Sequence, residues 1–424
     1  MHDTSIRRLA AVLVLALTGG AVAAPQPAAD SLSLQEALRL GLEQSPSLAA
    51  SRAMAQAAQA QVPQAGSLPD PRLSLGLANL PTDSFSLSRD PMSQIQVGIS
   101  QALPFPGKRG LEEEVAEHRA EAARLGSDEA RLQLLRDIKQ AWWQLFYLDH
   151  ALATNTRNRG LFEQQLETAQ TRYTVGRAEQ QDIFLTQLEL ARLDDARLQL
   201  AQARAEAEIL LNRLLNRPAE TAIHLPEQAA AALPELPGLA QLQAAARAQR
   251  PDLFAGQARL EAARSQRALS AREQYPDFAL GATYGRRDGR QDLASIQFSM
   301  SLPLYAGSKQ SKAEDQRQAE LIAAQAQLRD LHSRVDAAVA GAAVRYRRAR
   351  QQVDLFQQSI LPQARQTVEA MLAGYQVNKT AFINLIQAQA DLHDYETRYW
   401  RVYSAAHQAL AELAFAVGEE TMYE

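Results

Sequence analysis

Hydrophobic positions along this chain keep two rhythms, and the rhythms follow one another in a fixed order. From Lys108 to about Val175 apolar residues recur at steps of three and four (Leu125, Leu132, Leu135, Ile138, Trp142, Leu145, Leu152). That spacing, near 3.5, draws a stripe along a helix that packs lengthwise on a neighbour. No proline interrupts the stretch between Pro106 and Pro218. At 1.5 Å per residue it predicts a rod about 100 Å long, several times the diameter of a small domain. Two segments before it keep period two. Leu73, Leu75 and Leu77 interleave with Ser74, Gly76 and Ala78, and Ile95, Val97 and Ile99 with Gln96, Gly98 and Ser100. Such strands have one apolar face and one small or polar face. A strand between lipid and water has this pattern, and so does a strand of a β-sandwich.

The whole order is then written a second time, with a period near 200. Leu42-Glu43-Gln44-Ser45-Pro46 is answered by Arg247-Ala248-Gln249-Arg250-Pro251, and Pro71 and Gly76 return as Pro276 and Gly281. Ile95-Gln96-Val97 returns as Ile296-Gln297-Phe298, and Arg172-Tyr173-Thr174-Val175-Gly176-Arg177 as Gly374-Tyr375-Gln376-Val377-Asn378-Lys379. A first repeat is expected over 25–216, with one helical segment from Leu34 to about Ser67, strands near 72–80 and 94–103, and long helices over 108–175 and 180–215. A connector over 217–238 holds Pro218, Pro226, Pro234 and Pro237, a density that ends helices. The second repeat, 239–424, carries strands near 277–284 and 293–302 and long helices over 308–376 and 382–416. Gly160 and Pro362 occupy matching places in the two rods and are expected to bend them near their far ends.

The predicted fold is thus mainly α, two repeats of long coiled-coil helices, with a small β part. If the strands enter a membrane, four cannot close a barrel, since membrane barrels begin at about eight strands. Open strand edges are not tolerated in lipid. Several copies must then share one barrel, and three would supply twelve strands.

Composition sharpens the setting. Arg7-Arg8, the apolar run Leu9 to Leu17 and the small residues Ala21 to Ala24 read as a cleavable secretory signal over 1–24. Cysteine is absent, which removes disulfides, thiolate metal sites, cysteine catalysis and a cysteine-borne lipid. The net charge of −4 argues against nucleic acid as a partner. None of the seven histidines forms a metal-binding H-x-x-x-H spacing, and no nucleophile elbow or phosphate-binding loop appears. No catalytic, cofactor or metal residue is assigned. Trp142-Trp143 reads as packing, and the basic run Arg345, Arg347, Arg348, Arg350 as a solvated face or a passage lining.

The doubled helix, strand, strand, helix, helix order resembles the TolC-like outer-membrane efflux channels over essentially the whole mature chain. Its carriers are the turns at Tyr173 and Tyr375 and the strand ends Gln101-Ala102-Leu103-Pro104-Phe105-Pro106-Gly107-Lys108-Arg109 and Leu302-Pro303-Leu304-Tyr305-Ala306-Gly307. Asp70-Pro71-Arg72-Leu73-Ser74-Leu75 is similar to the branch that serves heavy-metal exporters. The resemblance implies a homotrimer whose twelve-strand barrel meets outer-membrane lipid and runs on into a periplasmic α-helical barrel. It implies a passive exit duct in a tripartite pump, without catalysis, served by a periplasmic adaptor (membrane fusion) protein and an inner-membrane pump of the RND type. The adaptor would dock on the tips Tyr173, Thr174, Val175, Gly176, Arg177 and Tyr375, Gln376, Val377, Asn378, Lys379. Where the family has two acidic residues at the closed entrance, this chain has Asn384 and Gln387; Glu179 and Asp182 are the expected substitutes for that charge. The competing expectation is a soluble periplasmic coiled-coil adaptor or scaffold.

Overall fold

A computed structural model describes residues 31–228, 233–377 and 379–420. The predicted signal over 1–24 and the tip residue Asn378 lie outside the described residues. Each repeat opens on two helices where one was expected: α1 (Leu34–Gln44) and α2 (Pro46–Ala65) in the first, α5 (Leu239–Gln249) and α6 (Pro251–Arg272) in the second. The reason is Pro46 and Pro251. Each sits at the first turn of the later helix, where a missing N–H costs nothing, and pushes the residue before it out of the helical region. Ser45 then serves both helices. Its N–H donates to Gly41 O, and its Oγ accepts from Leu48 N at 3.4 Å.

The first rod, α3 (Lys108–Thr174), is one uninterrupted helix of 67 residues, and α4 (Gln180–Leu214) returns along it. α3 runs through Gly160 without a break, because a glycine raises the local cost of helix without removing a backbone hydrogen bond. Pro362 does act. The second rod is α7 (Gln310–Leu355), a widened π-turn (Phe356–Ile360) and α8 (Leu361–Gln376), followed by α9 (Phe382–Val417). Proline lacks an N–H and crowds the carbonyl four residues back, and the π-turn accommodates both effects without ending the rod.

α3 is the spine. Its predicted stripe is largely the buried one: Leu125, Leu132, Leu135, Ile138, Trp142 and Leu145 are buried, and Leu152 is half-buried. Trp142 Nε1 donates to Leu32 O at 3.0 Å, tying the start of the described chain to the rod. Trp143 lies flat on His407 of α9 at 3.8 Å, so the two repeats meet through it. In the basic run, Arg347 donates to Pro237 O (3.1 Å) and Arg350 to Glu235 (3.2 Å), while Tyr346 Oη donates to Pro234 O (2.7 Å). Those contacts pin the connector against α7. Among the described residues no helix is long and apolar enough to cross a membrane.

Four strands, β1 (Arg72–Ala78), β2 (Gln94–Leu103), β3 (Phe278–Arg286) and β4 (Leu293–Met300), form one antiparallel sheet in chain order. The central pair β2 and β3 joins the repeats, and β1 and β4 are its two unpaired edges.

Candidate functional site

In an antiparallel sheet directly opposed residues share a face. The register therefore decides whether the alternation of four separate strands adds up. Leu73 opposes Ile99, Leu75 opposes Val97 and Leu77 opposes Ile95. Ile99 and Val97 then oppose Ala282 and Tyr284, and Leu103 opposes Phe278. Ala282, Leu280 and Phe278 oppose Ile296, Phe298 and Met300. Most rows continue across the sheet, giving one face dominated by Leu, Ile, Val, Phe, Tyr and Met and broken by Gln101 opposite Leu280 and Arg286 opposite Ile95; this face stays open to the outside, with Ile296 84% and Leu75 75% exposed. The opposite face carries Ser74, Gly76, Gln96, Gly98, Ser100, Gly281, Thr283, Ser295, Gln297 and Ser299. A slip of one residue in any strand would mix the faces.

The long hairpins end in two turns of the same build. Val175 and Val377 close α3 and α8 with nearly equal dihedrals (φ −99°, ψ 11° and φ −100°, ψ 16°). Arg177 N donates to Arg172 O and Lys379 N to Gly374 O, each at 2.8 Å, the wrap-around bond of a Schellman end. Gly176 takes φ +71°, a left-handed value that suits glycine.

The two tips differ in what they show. Thr174, Val175, Arg177, Gln376, Val377 and Lys379 are exposed, and so is Tyr173, whereas its repeat counterpart Tyr375 is buried. Tyr375 packs on Phe382 (5.0 Å) inside a cluster with Phe162, Leu193 and Leu385, and the Arg172 guanidinium lies 4.3 Å above its ring. Arg172 also reaches Tyr375 O at 3.4 Å. Spacing along the chain does not single out Arg172; its place in the first turn motif, one repeat away from the turn that holds Tyr375, is the signal the sequence offers.

Asp182, expected as an entrance charge, stands in the first turn of α4. It is buried, its carboxylate accepts from Glu179 N at 3.4 Å as a cap of α4, and burial holds its carboxyl above the usual carboxylate range. Its charge is turned into the hairpin, while Glu179 remains exposed. Asn384 and Gln387 are exposed on α9 and line an open groove of about 510 Å³ between α8 and α9. One turn further along the same face stands Asp391, also in the groove, whose Oδ1 accepts from Gln387 Nε2 at 2.8 Å. Spacings of three and four hold these residues in one row.

Among the described residues no group of three or more histidines, aspartates or glutamates is arranged to hold a metal ion. His150 and His407 lie flat on Trp400 and Trp143, both at 3.8 Å, as packing groups.

The family described as "Outer membrane efflux protein" matches residues 37–217 and 242–419. The cobalt-zinc-cadmium resistance protein CzcC of Cupriavidus metallidurans is 24% identical over 415 residues, spanning 93% of this chain and 92% of that protein. Among solved structures, the outer membrane protein VceC of Vibrio cholerae superposes with a TM-score of 0.77 at 20% identity, covering 91% of this chain and 96% of VceC. The open state of the MtrE outer membrane channel of Neisseria gonorrhoeae gives 0.78 at 17% identity, covering 92% and 90%.

Proposed function

Because the chain belongs to the outer membrane efflux protein family, we propose that three copies close their sheets into one twelve-strand barrel in the outer membrane, continued across the periplasm by the paired rods as an α-helical barrel. The chain is an outer-membrane channel component of an efflux system. Its work is conduction, and the energy comes from elsewhere: an inner-membrane pump, reached through a periplasmic adaptor that docks on the two helical tips. The observation that supports a shared barrel is the sheet register. It gathers most of the large apolar residues of all four strands onto one face and leaves both edges unpaired, and unpaired backbone in lipid costs several kcal/mol per group.

The test is the state of the full chain extracted from outer membranes in mild detergent. Unheated, it should migrate in electrophoresis as a trimer, and after boiling as a monomer. Recovery as a water-soluble single chain would defeat the reading.

For cargo, the relative named for cobalt, zinc and cadmium resistance points to divalent heavy-metal cations. Deleting the gene should lower the tolerated concentration of one of these salts, and re-expression should restore it. Unaltered tolerance to all three would remove the cargo assignment and leave the channel untouched. At the periplasmic end the entrance is built from the Asn384, Gln387 and Asp391 row, three copies of which would face one another, with Asp391 in place of the acidic pair and of Asp182.

A further inference from the structure

The chain contains one complete joint between its strands and its rods. It lies where β2 leaves the sheet beside the start of β3. Phe105 stacks on Tyr275 with ring centroids 4.6 Å apart and an interplanar angle of 14°. The Asp277 carboxylate accepts from Phe105 N and from Lys108 Nζ, each at 2.8 Å, and Lys108 Nζ also donates to Tyr275 O at 3.1 Å. Lys108 is buried there, and the partners come from both repeats.

The duplication writes the same parts again, this time at opposite edges of the sheet. Leu302-Pro303-Leu304-Tyr305 follows β4 as Leu103-Pro104-Phe105 ends β2, and Lys309 stands at the start of the second rod as Lys108 does at the first. Helix α6 has 22 residues against 20 in α2. At the joint the repeat equivalence therefore moves two residues from the Pro71 to Pro276 match, and Leu68-Pro69-Asp70 corresponds to Tyr275-Pro276-Asp277. Both halves are bare within one chain. Leu304 is 80%, Tyr305 75% and Leu68 44% exposed. Asp70 and Lys309 are exposed and have no ion-pair partner among the described residues.

We propose that these halves complete each other between copies of the chain. Leu68 and Asp70 before β1 of one copy receive Leu304, Tyr305 and Lys309 after β4 of the next. Asp70 takes Lys309 as Asp277 takes Lys108. The occupant is a second copy because the charges are complementary, and because both halves continue from strand edges that need a partner. This joint rests on the common barrel proposed above, and would make the subunit boundary a repetition of the boundary between repeats.

The absence of cysteine makes the joint easy to probe. In the detergent-extracted full chain, Asp70→Cys combined with Lys309→Cys and treated with a short bismaleimide should give covalent dimers and trimers under denaturing conditions. Either substitution alone should give none. Lys108→Cys with Asp277→Cys, whose thiols sit in one chain, should stay at the monomer position. Charge reversal is the second readout: Asp70→Lys or Lys309→Asp should lower the temperature at which the unheated oligomer dissociates, and the two together should restore it. An oligomer that gives no ladder, and no rescue on double reversal, overturns the joint while the shared barrel stands. A chain that is monomeric without heating overturns both.

Discussion

Asp182 and Asp391 are carboxylates on returning helices, and their surroundings give them opposite roles. Asp182 caps its own helix from inside the hairpin, whereas Asp391 is exposed in the α8–α9 groove beside Gln387. A carboxylate in an open groove can meet a passing ion directly, whereas one buried as a helix cap is already engaged by a backbone N–H. Asp391→Asn is therefore expected to reduce cation over anion selectivity in planar bilayers, and Asp182→Asn to leave it as it was; the reverse pattern would return the entrance charge to Asp182. His407 gives a second expectation at this scale. Burial under Trp143 depresses it from 6.5 to about 4. The unfolded chain takes up a proton below pH 6.5 that the folded chain refuses until about pH 4. Stability is thus full above 6.5 and falls by roughly 3 kcal/mol as the pH drops to 4. His407→Phe, which keeps a ring against Trp143, should flatten most of that acid limb in melting curves taken between pH 7 and 4.5. The remaining slope includes His150 and His393, both depressed first of all by burial. A limb as steep in the variant as in the parent would exonerate His407.

At the scale of the element, the rods hold because their apolar stripe is continuous, and they end where the backbone is made to turn. Gly176 at φ +71° and Gly160 in mid-helix show the difference within one helix and its cap. Alanine at 176 must adopt a left-handed conformation at a cost of about 1 kcal/mol. Alanine at 160 meets nothing within 4 Å and should be neutral or stabilising by about 0.5–1 kcal/mol. Hydrogen exchange is the suitable measurement. Gly176→Ala should speed exchange around 172–180 while leaving the body of α3 protected, and Gly160→Ala should speed it nowhere. Periodicity made α3 and its length legible. It did not reveal the elbows at Ser45 and Arg250, because Pro46 and Pro251 can also begin a helix that continues the line of the previous one. Nor did it separate Gly160 from Pro362, whose effects differ through the N–H that proline lacks and the crowding of its ring against the preceding turn.

At the scale of the whole molecule, the sheet sorts its environment by face. Ser74 and Leu75 are neighbours in sequence that the pleat sends to opposite sides. Lysine at a lipid-facing position near the bilayer middle costs about 2–4 kcal/mol, while the lumen face tolerates charge. Leu75→Lys should reduce the amount of heat-modifiable oligomer recovered from outer membranes. Ser74→Lys should assemble normally and shift single-channel conductance or ion preference in bilayers. Equal loss of assembly in both variants would mean that the two faces are not lipid and lumen.

The amino-acid sequence alone determined the duplicated order, the rods, the strand alternation and the places of the tips, because each depends on residue spacing within a short stretch of chain. The resemblance it carried to a channel family rested on those same local marks. Only the tertiary structure decided which side chains were available at the ends of that framework. Tyr173 and Tyr375 share a motif yet one is exposed and the other lies beneath Arg172; Asp182 and Asp391 are both acidic yet only one keeps its charge in the open. Exposure at a helix tip is set by contacts between segments some 200 residues apart, and the spacing of residues along one helix does not encode what a distant helix lays over it.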